Sequence, residues 1–154
     1  MFKTNFTPGP SQLYVTTEDH ARKAFKELIP SLSHRTKQFE DISRNATDGL
    51  RALMNIPANF SIVFTGSATE IWERIIQNLT EETSHHLVNG AFSQKFYDTA
   101  IQFNRKATLT NAELGKGFSE TVVVPATELI ALTHNETSTG VSLSLNVIDK
   151  LRDS

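Results

Sequence analysis

The chain has 154 residues, of which 38% are hydrophobic and 21% charged, with a formal net charge of -2 and no cysteine. That length is enough for one ordinary domain with its own core. The slight acidic balance argues against a broad nucleic-acid surface, and the missing thiols exclude disulfides, thiolate metal sites and cysteine nucleophiles. No segment reaches the roughly 20 apolar residues of a membrane span, and the first residues lack a signal-peptide apolar run. The expectation is a cytoplasmic protein without nucleic-acid or membrane partners.

Residues 1–15 form an irregular arm around the turn-forming Pro8-Gly9-Pro10. A helix is predicted from about Thr17 to Ile29, with Glu18 and Asp19 at its positive end and Pro30 after it. A second is predicted from Ser33 to Met54. Phe39, Ile42, Ala46, Leu50 and Leu53 give it one buried face, and Asn55-Ile56-Pro57 ends it. The short aromatic and β-branched run Phe60-Ser61-Ile62-Val63-Phe64 reads as a strand.

The next helix, Ser67 to Leu79, carries the clearest start signal in the chain. Ser67 can cap it and Glu70 stands three residues on. A strand at His86–Val88 leads through Asn89-Gly90 into a helix ending near Phe103. Short strands are predicted at Ala107–Thr110, Thr121–Val123 and Leu129–Thr133, and a last helix begins at Val147. His85 and His86 have no metal-like partners and read as strand-edge residues. Strands alternating with helices mean an α/β fold with a mostly parallel sheet, whose ligands bind beyond the carboxyl ends of the strands.

Three strand ends are therefore the places to look. Thr65-Gly66-Ser67-Ala68-Thr69 offers open backbone amides at a helix N-terminus, which suits a phosphate or other anion, or else is an ordinary capped helix. It is neither a Walker loop nor a dinucleotide fingerprint. After Val88, Phe92 could stack on a flat heterocycle or lie in the core. After Thr133, the run His134-Asn135-Glu136-Thr137-Ser138-Thr139-Gly140 could supply hydroxyl donors or form a plain polar loop. Earlier in the chain, Arg35, beside His34, could fork onto a carboxylate or phosphate or be a solvated helix residue.

The segments NFTPGP, SHRTKQFE, LMNIP, FTGSATE, NGAFS and HNETSTGV, in that order, resemble the class V branch of the fold-type I pyridoxal-phosphate aminotransferases. The match is best to the phosphoserine aminotransferases. The resemblance implies a three-layer sandwich with a mostly parallel sheet, residues 16–154 being the N-terminal portion of the cofactor-binding large domain. It implies pyridoxal 5'-phosphate held by Ala68 and Thr69 at its phosphate, stacked by Phe92, and hydrogen-bonded at its phenolic oxygen by Thr137. His34 and Arg35 would bind anionic groups of the substrate, and Gly9 would line the substrate entrance through its backbone.

The implied reaction transfers the amino group of glutamate to 3-phosphohydroxypyruvate, giving phosphoserine and 2-oxoglutarate, in a homodimer. The alternatives are another class V reaction, of the alanine- or serine-glyoxylate aminotransferase or cysteine desulfurase type, or a non-catalytic anion-binding module. By the same resemblance, the acid facing the pyridine nitrogen and the lysine that joins the cofactor lie beyond the matched segment. No catalytic lysine is assigned in this chain, which by itself is expected to be inactive and poorly soluble.

Overall fold

The computed structural model describes residues 11–153, which fall into two compact units divided between Val63 and Phe64. The arm motif with Gly9 lies outside the described residues.

The first unit is helical. Helix α1 spans Thr17–Lys26, with Glu18 and Asp19 in its first turn and Lys23 and Lys26 in its last, complementing the helix dipole at both ends. A single 3-10 turn, Ile29–Ser31, follows. Helix α2 spans Lys37–Met54. Its cap is Thr36, whose hydroxyl accepts from the Phe39 amide at 3.3 Å. Asn55 ends it in the left-handed region at φ 52°, and the Arg51 guanidinium donates to the carbonyls of Pro57 and Phe60 beyond it, at 2.5 and 2.8 Å.

Three expectations are corrected here. Ser33 does not open α2, because Thr36 supplies the capping oxygen in position, so His34 and Arg35 precede the helix rather than form its first turn. The α2 stripe buries no residue among those described, and Phe39, Ile42 and Leu53 are exposed. Residues 61–64 form no strand: an extended apolar run becomes a strand only where a neighbour pairs with it, and none of the described residues does.

The second unit is an α/β sandwich. Helix α3 spans Ala68–Leu79, β1 Thr83–Val88, α4 Ala91–Gln102, β2 Lys106–Asn111 and β3 Ile130–Ala131. A hairpin of β4 (Asn135–Glu136) and β5 (Val141–Ser142) precedes α5, Leu145–Arg152. The three-stranded sheet is parallel in the order β2-β1-β3, with His85 opposite both Thr108 and Ile130. No strand forms at residues 121–123; that segment is turn and coil, and Val122 and Val124 pack on the core instead of pairing.

Two clusters cover the two faces of β1. On one, Ile76, Phe96, Ala100 and Ala131 are buried together, with Trp72 stacked on Phe96 at 5.5 Å. On the other, Leu87 packs with Val147 and Leu151 of α5. This gives helices on both sides of a parallel sheet, as expected for the fold class.

Because β1 is central, His85 and His86 are interior residues, which corrects their reading as strand-edge side chains. His85 bridges Thr108 and Thr110 of β2, at 2.8 and 3.0 Å. His86 points to the other face, bonded to Ser84 Oγ at 3.0 Å and set edge-on to Phe96 and Tyr97. Burial, then the charge of His85, pushes the His86 imidazole down to about 4, so it is neutral at physiological pH. At the entrance to β1, Glu128 Oε2 accepts from the amides of Glu81, Glu82 and Thr83 at 2.8–3.1 Å, which fixes the start of β1 beside β3. Those backbone bonds hold its carboxyl below the usual range.

Candidate functional site

The site is built at the carboxyl end of β1, where two helices begin. The amides of a helix's first turn lack intrahelical partners, so each helix opening must be closed by side chains or left to accept a ligand. Helices α3 and α4 solve this differently.

At α4 all the open amides are taken. The Ala91 amide donates to Ser138 Oγ at 2.9 Å, Phe92 to Glu136 Oε1 at 3.3 Å and Ser93 to Glu136 Oε2 at 2.8 Å. Gln94 then makes the first helical bond, to the Gly90 carbonyl. The Glu136 carboxylate is fully buried. Burial opposes its charge, but bonds from Ser138, Ser93 and Phe92 outweigh that cost and hold its carboxyl below the usual range. The approach is possible only because residue 90 is glycine. A Cβ there would lie 2.5 Å from both Glu136 Cδ and Ser138 Oγ.

At α3 the local capping signal works as the sequence predicts. Ser67 Oγ accepts from the Glu70 amide at 3.2 Å, and Glu70 Oε2 reaches back to the Gly66 amide at 2.9 Å. The amides of Ala68 and Thr69 have no partner among the described residues. Beside them, Lys95 Nζ donates to Thr69 Oγ1 at 3.4 Å from the neighbouring helix α4. Two free amides, a hydroxyl and an ammonium group thus converge where the helix dipole is positive, a suitable donor set for a phosphate. Glu70 adds a negative charge on the Gly66 side, and Arg74 at 3.5 Å partly offsets it.

Phe92 is the second residue of α4 and 46% exposed, so its ring is available for stacking rather than locked in the core. Thr137 opens the turn between β4 and β5. It is exposed, and its hydroxyl has no partner among the described residues. Phe92 and Thr137 are brought together by Glu136, which takes the amide of the first and directly precedes the second. A cleft of about 210 Å³ lies along this hairpin, lined by Thr137 and Gly140.

His34 and Arg35 belong to the first unit. Both are exposed in the turn before α2, where the Arg35 amide donates to Ser33 Oγ at 3.3 Å. The Arg35 guanidinium has no partner among the described residues.

Lys95 and Glu136 were not singled out as site residues from the sequence. Lys95 stands three residues after Phe92 in a helix, on the same face, which is a usable signal. The role of Glu136 depends on a long-range contact that local patterning does not encode.

The model of the aminotransferase class-V family matches residues 4–153. The chain belongs to the class-V aminotransferase family. It is 35% identical over 117 residues to a phosphoserine aminotransferase of Rhodococcus opacus, covering 74% of this chain and 31% of that protein. Among solved structures, a phosphoserine aminotransferase from Cytophaga hutchinsonii superposes with a TM-score of 0.92 at 49% identity, covering 98% of this chain and 42% of that one. A PLP-bound phosphoserine aminotransferase from Trichomonas vaginalis superposes with a TM-score of 0.61 at 25% identity, covering 79% of this chain and 38% of that one. The chain thus spans about a third of the length of the curated relative it matches. No helix among the described residues is long and apolar enough to cross a membrane.

Proposed function

We propose that this chain is the N-terminal portion of a pyridoxal-phosphate-dependent phosphoserine aminotransferase, which in its whole form moves an amino group from glutamate to 3-phosphohydroxypyruvate. The observation that carries the reading is the contrast between the two helix openings. The α4 amides are taken by Glu136 and Ser138, whereas those of Ala68 and Thr69 have no partner among the described residues and lie beside Lys95.

Pyridoxal 5'-phosphate, when bound, supplies the electron sink that lets the amino group pass between acids. The chain's own residues bind and orient. The Ala68 and Thr69 amides would hold the phosphate, Phe92 would stack on the pyridine ring, and the Thr137 hydroxyl would donate to the phenolic oxygen. The residues present fit the group: two helix-opening amides and a hydroxyl without partners among the described residues, and an exposed aromatic ring. His34 and Arg35 bind the anionic groups of the amino-acid and 2-oxo-acid substrates. Arg35 takes the phosphate in fork geometry, which its guanidinium, without a partner among the described residues, allows. For Gly9, outside the described residues, a place at the substrate entrance rests on the family resemblance alone.

A cytoplasmic homodimer belongs to the same reading. The helices of the first unit bury no residue among those described, and Phe25, Leu53 and Met54 are exposed on them. A second copy would cover such apolar surface. Sedimentation of the full-length protein as a single-chain species would overturn the dimer.

The test of the function is direct. The purified full-length protein, loaded with pyridoxal phosphate and desalted, is expected to retain a visible absorption band that glutamate bleaches. Arg35→Ala is expected to raise the KM for phosphohydroxypyruvate at least about tenfold, consistent with the loss of a charge-assisted hydrogen bond, and to leave that for a non-phosphorylated oxo acid nearly unchanged. Equal effects on both substrates would remove the phosphate specificity and leave another class V reaction.

A further inference from the structure

We propose that Glu136 is a positioning residue for the cofactor: its buried carboxylate sets the spacing between the ring of Phe92 and the hydroxyl of Thr137. The inference rests on the pyridoxal-phosphate reading above and goes beyond it, because Glu136 itself is assigned no contact with the cofactor.

Phe92 and Thr137 come from distant segments. Phe92 is in the first turn of α4, and Thr137 is in a hairpin whose strands are two residues each. Two-residue pairing gives that hairpin little rigidity of its own. The Glu136 carboxylate accepts from the Phe92 amide, the Ser93 amide and hydroxyl, and the Ser138 amide and hydroxyl. Every partner is a donor, so the site is matched to an ionised carboxylate and to no neutral side chain of the same shape. Thr139 Oγ1 adds a bond to the Asn89 carbonyl at 3.1 Å, tying the far side of the turn to the end of β1. Stacking and phenolic-oxygen recognition require both groups to sit within a fraction of an ångström of their working positions. The Glu136 network is the direct link between them. It also fills the α4 opening with the protein's own charge, leaving α3 as the place for a phosphate.

Glu136→Gln keeps the volume but substitutes an amide NH2 for an acceptor oxygen, so at least one buried donor loses its partner. In the full-length protein it is expected to raise the dissociation constant for pyridoxal phosphate about tenfold or more, and to diminish the circular dichroism induced in the bound cofactor's visible band. Ser138→Ala, which removes one donor to Glu136, is expected to shift both readouts in the same direction by less, and keeps the test open if Glu136→Gln fails to fold. Ile76→Val lowers stability through the core alone and is expected to change neither readout. Retention of wild-type affinity and dichroism in both Glu136→Gln and Ser138→Ala would overturn the positioning role. Failure of the wild-type protein to bind pyridoxal phosphate at all would instead overturn the functional reading on which it rests.

Discussion

Glu136 Oε2 accepts from both the amide and the hydroxyl of Ser93, each at 2.8 Å, so one carboxylate from a hairpin closes the first turn of a helix more than forty residues earlier. Its charge is stabilised by its near neighbour Ser138 and by the Phe92 and Ser93 donors, which the local chain of Glu136 does not provide. Four consequences of this arrangement and of the packing around it can be measured.

Gly90→Ala places a methyl group where Glu136 Cδ and Ser138 Oγ already stand. The collision is with a buried, hydrogen-bonded side chain, so relief requires α4 or the hairpin to move. The expected cost is about 1–3 kcal/mol, read from the midpoint of denaturant unfolding. Cofactor affinity should fall with it, because the same movement displaces Phe92.

Phe92→Ala should separate binding from stability. The ring is 46% exposed, so its removal costs the fold little. Loss of stacking, worth about 0.5–1.5 kcal/mol, should raise the pyridoxal-phosphate dissociation constant several-fold. Phe92→Trp should lower it, since the larger indole face covers more of the ring. Fluorescence titration of the cofactor-free protein tests both.

Stability should fall on the acid side in two steps. The folded His86 imidazole titrates at about 4 and the unfolded one at 6.5. Between those values the unfolded chain takes up a proton that the folded chain refuses. The His86 contribution is therefore complete above about 6.5 and declines toward 4, at up to ~1.4 kcal/mol per pH unit. His85, also lowered by burial, adds to the loss that begins as the pH falls below 6.5. Glu136 acts lower: its folded carboxyl is depressed from 4.5, so its contribution is present above 4.5 and is lost as the pH falls through the folded value. Unfolding midpoints across this range should show the steps, and His86→Gln should flatten the upper one.

Ser67→Ala removes the oxygen that accepts from the Glu70 amide. Loss of such a cap costs about 1 kcal/mol. Phosphate binding should persist, because the Ala68 and Thr69 amides do not depend on the Ser67 hydroxyl. A complete loss of cofactor binding in this variant would place the anion cradle elsewhere.

Several features were legible in the sequence because their causes are local. Ser67 and Glu70 lie within one helical turn, so the start of α3 follows from their spacing. The start of α1, the end of α2 at Asn55, the α/β alternation and the search for ligands after β1 follow likewise from caps, breakers and apolar periodicity, whereas α1 stops at Lys26, short of the Ile29 that Pro30 suggested. Others were not. Phe60–Phe64 and Thr121–Val123 have strand composition and form none, because a strand is defined by its neighbour. The histidines of β1 read as edge residues because nothing in their local sequence says that β2 and β3 flank them.

The sequence by itself determined which segments become helices, where α3 begins, and, through the order of its motifs, the family. Only the tertiary structure decided that α4's opening is closed by Glu136 while α3's finds no such partner among the described residues, and that Lys95 comes to Thr69. The physical reason is range. Capping and periodicity act over three or four residues, whereas the partner of a buried carboxylate is chosen by how the sheet brings distant strand ends together.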